Sequence, residues 1–177
     1  ERTLAAMERA VQLGIRGFKV FQAYPDRLML SPDEIERIMA RAAELGATIF
    51  VHSEEGELIE RLREGELSVG HTAPIYHSLT RPSESEGRAA RQILELVRRT
   101  GCPTVIVHIS ALEVLPVLRE AAELDLPLYG ETCPQYLWLT SRFLQGERAA
   151  GYVCSPPIRT VEHPEALFQG LIDGEIH

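Results

Sequence analysis

Apolar residues along this chain follow two kinds of pattern, one helical and one typical of buried strands. The first helical face covers residues 3–13 and ends at Gly14, a residue that commonly terminates helices. A second helix begins at Ser31, because this serine and Glu34 have the spacing of a capping box. The apolar stripe of that helix ends at Gly46.

Short apolar runs without polar alternation lie between the helical segments. They are the run through Lys19, residues 47–51, residues 103–107 and residues 126–130. Strands covered on both faces have this uninterrupted apolar character. Because helical patterns separate the runs, the sequence predicts βαβ units around a parallel sheet. The predicted fold class is α/β, with about four βα units that form part of a TIM-like (β/α)8 barrel.

Two further capping boxes are predicted later in the chain. Ser83 with Glu86 opens one helix, which Gly101 ends. Ser110 with Glu113 opens the next, where Pro116 should weaken or shift the helix start. The remaining pattern predicts a short helix, a long loop and a last helix, at residues 56–64, 65–82 and 163–171.

Three chemically distinctive side chains lie at the carboxyl ends of successive predicted strands: Lys19, His52 and His108. Lys19 is the only lysine among 18 basic residues. A desolvated lysine can lose its proton and act as a nucleophile, whereas arginine stays charged. Since the carboxyl ends of barrel strands carry the chemistry, we expect these side chains to converge on one mouth.

Two neutral imidazoles and an oxygen donor suit catalytic zinc. A lysine that captures CO2 becomes a carbamate, an anionic oxygen donor able to bridge two metals. The alternative interpretation is structural. In it the Lys19 amine extends to water, and His52 and His108 are strand-end histidines whose hydrogen bonds are satisfied within the protein. The repeated strand-then-histidine layout favours the metal site. Four histidines in loops, at a helix start and at the terminus remain outside the predicted site: His71, His77, His163 and His177.

Composition narrows the classes of function. The 45% apolar and 25% charged residues are typical of a soluble globular domain. A formal net charge of −8 argues against a nucleic-acid surface. The sequence has neither a membrane span nor a signal peptide, so a cytoplasmic location is expected. An odd number of cysteines without a CxxC pair predicts packing residues at Cys102, Cys133 and Cys154.

Six motifs resemble consecutive signatures of the dihydropyrimidinase and D-hydantoinase family, within the cyclic amidohydrolases. In chain order they are GFKVFQAY, VHSEEGELI, TAPIYHSLTRPSE, VIVHIS, YGETCPQYL and YVCSPPIR. The resemblance runs over nearly the whole chain. The last two motifs favour this branch over allantoinases and dihydroorotases.

The resemblance implies a TIM-like barrel with a two-metal centre, usually zinc, that opens cyclic diamides such as dihydropyrimidines and hydantoins. Lys19 is similar to the carboxylated lysine that bridges the metals, and His52 and His108 match the ligands of the second metal. Tyr24 matches the tyrosine that polarises the scissile carbonyl. Ser155 matches the serine whose main chain holds the substrate ring. Water activated between the metals would attack the amide carbon.

Parts of the family pattern have no counterpart in this sequence. These are an HxH pair on the first strand and an aspartate on the last strand. Residues 1–177 are therefore interpreted as the central part of a barrel domain, inactive in isolation. Gln22 stands where methionine is usual, which leaves the preferred ring substituent open, and Glu55 stands where asparagine is common.

Two alternatives stay open at this point. One is a non-catalytic relative that keeps the barrel for assembly or protein binding, and the other is a cyclic amidase of allantoinase or dihydroorotase type. The presence of Lys19, His52 and His108 together favours an enzyme. The expected partner is a small cyclic amide, with neither nucleic acid nor membrane. Open sheet edges lead us to expect a homo-oligomer.

Overall fold

The computed structural model of the protein describes residues 2–177, which form four strands and eight α-helices. The strands are β1 (Gly17–Phe21), β2 (Thr48–His52), β3 (Thr104–Ile109) and β4 (Leu128–Thr132). The helices are α1 (Arg2–Gln12), α2 (Pro32–Glu44), α3 (Gly56–Ser68), α4 (Ile75–Leu79), α5 (Ser83–Thr100), α6 (Leu115–Glu123), α7 (Pro134–Trp138) and α8 (Glu162–Ile172). Short 3-10 turns cover Leu112–Val114, Ser141–Leu144 and Ala149–Tyr152. Among residues 2–177, every helix is too short or too polar to cross a membrane.

The four strands form one parallel sheet in the order β1-β2-β3-β4. The register pairs Phe21 with His52 and Val51 with Ile106. Neighbouring strands are joined through helices, so all four carboxyl ends lie at the same edge of the sheet. The predicted parallel sheet of four βα units is confirmed.

The core lies between the sheet and the helices that cover it. Side chains of β2 and β3, including Ile49 and Ile106, are buried against the apolar faces of α2 and α5. The helix residues that are fully buried in this layer are Ile35, Met39, Ala42, Ala90, Ile93, Leu94, Leu96 and Val97. Burial of each large apolar side chain contributes about 1.5–3 kcal/mol, so this layer fixes how the strands sit on the helices.

Helix α2 has the boundaries that its sequence predicts. The Oγ atom of Ser31 accepts the N–H of Glu34 at 3.3 Å, and the Glu34 carboxylate accepts the N–H of Ser31 at 2.9 Å. Gly46, with a φ of +62°, follows the end of this helix. Gly101 ends α5 in the same left-handed conformation, with a φ of +63°.

The other two predicted capping boxes are wrong, because tertiary partners take their polar groups. Helix α5 follows Pro82, and no side chain caps it. The Ser83 hydroxyl donates instead to Glu113 at 2.7 Å. Glu86 is buried and accepts hydrogen bonds from Ser110. Local spacing therefore matched a capping pattern at residues that connect distant segments.

Proline shifts the start of the next helix, as predicted. The 3-10 turn Leu112–Val114 comes first, and α6 begins at Leu115 with Pro116 in its first turn. The predicted loop over residues 65–82 is wrong in part. Helix α3 continues to Ser68, and the five-residue helix α4 lies within the same stretch.

The turn after β1 packs closely on the start of α3. The N–H of Gly56 donates to the carbonyl of Gln22 at 3.1 Å. A Cβ atom at Gly56 would lie 2.8 Å from the Cα atom of Ala23 and 2.9 Å from that carbonyl oxygen. Because both neighbours are backbone atoms, only glycine permits this approach. The contact fixes the chain just before Tyr24.

Gly56→Ala should therefore lower the free energy of unfolding by roughly 1–3 kcal/mol, since the backbone at residues 22–23 must move. Gly65→Ala in the same helix is the matched control, because nothing lies within 4 Å of the added Cβ. The control should be neutral or stabilising by up to about 1 kcal/mol. Urea denaturation measures both variants. Equal effects of the two substitutions would contradict the close approach.

Candidate active site

Two imidazole rings meet at the carboxyl edge of the sheet. His52 is the last residue of β2, and His108 lies near the end of β3. Their Nδ1 and Nε2 atoms, respectively, are 3.0 Å apart. Because zinc binds imidazole nitrogen at about 2.0–2.1 Å, one ion can reach both atoms. The two rings therefore offer adjacent donors to one metal.

A local irregularity in β3 brings His108 to this edge. His108 has a φ of +47°, in the left-handed region that non-glycine residues seldom adopt. The register between β3 and β4 also shifts between Ile106 and Ile109. A bulge of this kind redirects a side chain at a strand end. Backbone strain held at such a position is common in functional sites.

A buried carboxylate orients the first imidazole. Glu54 Oε2 lies 2.7 Å from Nε2 of His52, and both side chains are almost fully buried. With Nε2–H donating to Glu54, Nδ1 of His52 keeps its lone pair and faces His108. A carboxylate behind a histidine in this way is typical of metal sites. Sequence reasoning missed Glu54, although it stands only two residues after His52.

His108 stays neutral far below neutral pH. Burial is the main cause that lowers the pKa of His108, to about 3, and the nearby His52 and Lys19 add to the effect. Its Nδ1 atom is buried and has no hydrogen-bond partner within residues 2–177. A neutral imidazole is the form that binds metal ions.

Lys19 lies beside the histidine pair on the same edge. Its Nζ atom is 5.4 Å from the centroid of the Phe21 ring, which stacks on His52 with centroids 5.6 Å apart. Lys19 keeps access to solvent, but the surrounding protein removes part of its hydration. Lys19 is exposed at the surface, but this partial desolvation of the amine lowers the pKa of Lys19 to about 8, against the opposing effect of the Glu131 carboxylate. A substantial fraction of the amine is therefore neutral near physiological pH.

Tyr24 covers the pair from the loop after β1. Its ring centroid is 5.0 Å from that of His52 and 6.0 Å from that of Phe21. The backbone of Tyr24 is left-handed, with a φ of +67°. Burial raises the pKa of Tyr24, while hydrogen bonding with the Ser155 side chain opposes the rise. The phenol is therefore protonated at neutral pH and can donate a hydrogen bond.

His77 also belongs to this region, although sequence reasoning left it outside the site. Its Nε2 atom lies 2.8 Å from the carbonyl oxygen of Cys154 and 3.2 Å from Oγ of Ser155. Arg81 donates to Nδ1 of His77 at 3.2 Å, so Nε2 carries the proton and donates to the carbonyl. Burial, followed by the charge of Arg81, lowers the pKa of His77. Its place within the motif TAPIYHSLTRPSE was the signal available in the sequence.

Gln22 points away from this edge. Its amide accepts from the Ser53 hydroxyl at 3.0 Å and donates to Gln92 of α5 at 2.7 Å. The side chain is buried in these contacts. Any influence of Gln22 on a bound ring would therefore be indirect, in contrast to the sequence interpretation. Glu55, the other residue that departs from the family pattern, forms an ion pair with Arg88 of α5.

The five residues predicted from sequence thus lie around one edge of the sheet. The ring of His52 contacts the rings of both His108 and Tyr24. Lys19 lies over the Phe21 ring, which stacks on His52, and Ser155 lies beside Tyr24. Within the described chain, no group of three His, Cys, Asp or Glu side chains is placed to hold a metal ion. The donors available are two imidazoles and one lysine amine. Their assignment as ligands stays a prediction.

Comparison with known proteins shows what this chain is similar to. No family model matches it. It is 41% identical over 165 residues to a D-hydantoinase of Geobacillus stearothermophilus, a match that covers 92% of this chain and 35% of the relative. It is 40% identical over 173 residues to a D-hydantoinase of Streptomyces coelicolor, covering 97% of this chain and 37% of the relative.

Solved structures give the same result for the fold. The chain superposes on the crystal structure of dihydropyrimidinase from Brevibacillus agri with a TM-score of 0.96 and 36% identity. The match covers 99% of this chain and 39% of that structure. The predicted fold class, part of a TIM-like barrel, is confirmed. The chain spans little more than a third of the length of these relatives.

The lowered pKa of Lys19 can be tested by chemical labelling of the metal-free protein. Burial disfavours the cationic amine, so the neutral, reactive form should appear at lower pH than in an ordinary lysine. Trace acetylation of Lys19, followed by mass spectrometry of its peptide, should show a midpoint at about pH 8. The same chain in urea is the control and should titrate at about 10.4. A midpoint near that value in the folded protein would contradict the desolvated environment.

Proposed function

We propose that this chain, a homologue of D-hydantoinases and dihydropyrimidinases over nearly its whole length, supplies part of the active site of a cyclic amidohydrolase. The observation that carries the proposal is the 3.0 Å approach of His52 Nδ1 to His108 Nε2 at the carboxyl edge of the sheet. Glu54 on the far side of His52 supports it. Because the chain covers 35–39% of its relatives, other segments must supply the rest of the site.

We infer that the resident metal is zinc, held by His52, His108 and a carboxylated Lys19. The donor chemistry fits, since His108 is a neutral imidazole, Nδ1 of His52 faces it at 3.0 Å and the Lys19 amine is partly neutral. A neutral amine is the form that reacts with CO2. When bound, zinc supplies Lewis acidity that polarises an amide carbonyl and activates water.

Residues of the chain itself would orient the substrate. We propose that the protonated hydroxyl of Tyr24 donates to the oxygen of the scissile carbonyl as negative charge develops there. The main chain at Ser155 would hold the ring amide, and His77 supports that segment through the carbonyl of Cys154. The proposed substrate class is a cyclic diamide of the dihydropyrimidine or hydantoin type.

The geometry favours an enzyme over a non-catalytic relative. His108 and Tyr24 both hold left-handed backbone conformations, which cost stability in non-glycine residues. Glu54 is buried with one oxygen, Oε1, that has no hydrogen-bond partner in the described part of the chain. Neither feature helps a barrel that serves only for assembly. Both are expected where a site is organised for chemistry.

Two further properties belong to the proposal. We infer a cytoplasmic location, which the three free cysteines support because a reducing compartment keeps thiols unpaired. We also propose a homo-oligomer. Within residues 2–177, β1 and β4 each pair with one strand of the sheet, and such edges favour pairing with other strands.

The enzyme that contains this chain should hydrolyse hydantoin or dihydrouracil when zinc and bicarbonate are supplied. Lys19→Ala should lower kcat/KM by more than about 100-fold, since even outer-shell partners of a metal contribute 10–100-fold. Acetate or propionate should restore part of the activity, because a small carboxylate fits the vacated space and replaces the carbamate oxygens. Ring opening is followed by the loss of ultraviolet absorbance.

Lys19→Arg is the matched control for the rescue. Arginine keeps the positive charge and fills the space, but it cannot form a carbamate. It should therefore be inactive and insensitive to added carboxylates. Full activity of unrescued Lys19→Ala would refute the role of Lys19. Equal rescue of both variants would refute the carbamate.

A further inference from the structure

A buried ion pair lies behind the candidate site. Glu86 of α5 is 1% exposed and Arg159 is 5% exposed, with Arg159 Nη2 at 3.1 Å from Glu86 Oε2. A buried ion pair contributes little net stability compared with apolar residues of the same volume. Its presence therefore points to a task other than stabilising the fold.

The carboxylate of Glu86 holds the segment that follows His108. Its Oε1 atom accepts the N–H of Ser110 at 2.8 Å and the N–H of Ala111 at 3.1 Å. Its Oε2 atom accepts the Ser110 hydroxyl at 2.7 Å. These contacts begin two residues after the left-handed His108, so they fix the chain on one side of that conformation.

The guanidinium of Arg159 ties a second segment to the same point. Its Nε atom donates to Oγ of Ser110 at 3.0 Å, and its Nη1 atom donates to the carbonyl of Arg81. Arg159 stands four residues after Ser155 on the loop before α8. Ser110 is therefore bound by both members of the ion pair.

A second chain of contacts closes the connection from the other side. Arg81, whose carbonyl accepts from Arg159, donates through its own guanidinium to His77. His77 in turn donates to the carbonyl of Cys154, next to Ser155. The segment around Ser155 is thus held on one side by Arg159 itself. On the other side it is held at Cys154, which connects to Arg159 through His77 and Arg81.

We propose that Glu86 and Arg159 are positioning residues that set the placement of Ser155 relative to His108. This inference rests on the proposed function, in which Ser155 holds the ring and His108 serves the metal. His108 and Ser155 belong to different segments. The pair bonds directly to Ser110 and Ala111 after His108, and it connects to Ser155 through Arg159 on the same loop and through Arg81 and His77. A misplacement of about 1 Å between such groups can lower a rate by 10²-fold.

The test compares conservative variants of the pair with a buried control. Glu86→Gln keeps the shape but removes the charge. Arg159→Lys keeps the charge, but a lysine amine cannot reproduce the planar fork that serves Ser110, Arg81 and Glu86. The control is Thr104→Val, since Thr104 is fully buried and donates to Cys102 at 2.9 Å. It lies on β3 at the end opposite the site.

In the enzyme that contains this chain, both pair variants should lower kcat/KM by roughly 10-fold or more. KM and kcat are measured well below the melting temperature of each variant. Thr104→Val should keep kcat/KM within about two-fold of the wild-type value, at a loss of thermal stability comparable to that of the pair variants. For Arg159→Lys we expect a raised KM, since the ring-holding segment is displaced. Activity near wild type in the pair variants would overturn the inference. Activity that falls equally in Thr104→Val would also overturn it.

Hydrogen exchange followed by mass spectrometry tests the coupling without any turnover. Glu86→Gln should speed exchange in a peptide covering residues 152–159 as well as in one covering residues 105–112. Arg159→Lys should do the same in both peptides, whereas Thr104→Val should leave residues 152–159 unchanged. The coupling would be overturned if Glu86→Gln changed exchange only in residues 105–112, or if Arg159→Lys changed exchange only in residues 152–159. A wild-type enzyme that opens no cyclic amide would instead refute the proposed function, and the exchange result would still decide the coupling.

Discussion

The parallel register of the sheet is the constraint on which the site depends. Pairing of Phe21 with His52, and of Val51 with Ile106, brings the carboxyl ends of β1, β2 and β3 to one edge. The buried layer between the sheet and helices α2 and α5 maintains that register. A slip by one residue would turn the facing side chains to the opposite side of the sheet. The approach of His52 to His108 therefore depends on this register as well as on the local irregularity of β3 at His108.

Several residues around this edge have backbone conformations or buried charges that lower the stability of the folded chain. His108 and Tyr24 adopt left-handed conformations, and Glu54 and Glu86 are carboxylates buried within the protein. Contacts with neighbouring residues hold each of these groups in place. The apolar layer between the sheet and helices α2 and α5 offsets these costs. That layer stabilises the fold, and the candidate chemistry lies at the carboxyl edge of the sheet.

The sequence was informative where local pattern decides structure, and less so where distant residues decide it. The strands that carry Lys19 and His52 follow from apolar runs and helix signals, which are local. The predicted strand-end position of Lys19 is wrong, since it lies in the middle of β1 and two residues before its end. The capping boxes at Ser83 and Ser110 were wrong because Glu113 and Glu86 accept from those serines across 30 and 24 residues of sequence. His77 was missed for the same reason, since its carbonyl partner lies 77 residues away.

Lys19 links the folded edge to the proposed chemistry, and the proposed carboxylation of its amine can be tested directly. The zinc-loaded enzyme that contains this chain would be equilibrated with ¹³C-bicarbonate and examined by ¹³C NMR beside its Lys19→Ala variant. We predict a protein-bound carbamate resonance that is absent from the variant. An active, zinc-loaded enzyme without that resonance, or with the same resonance in the variant, would contradict the account.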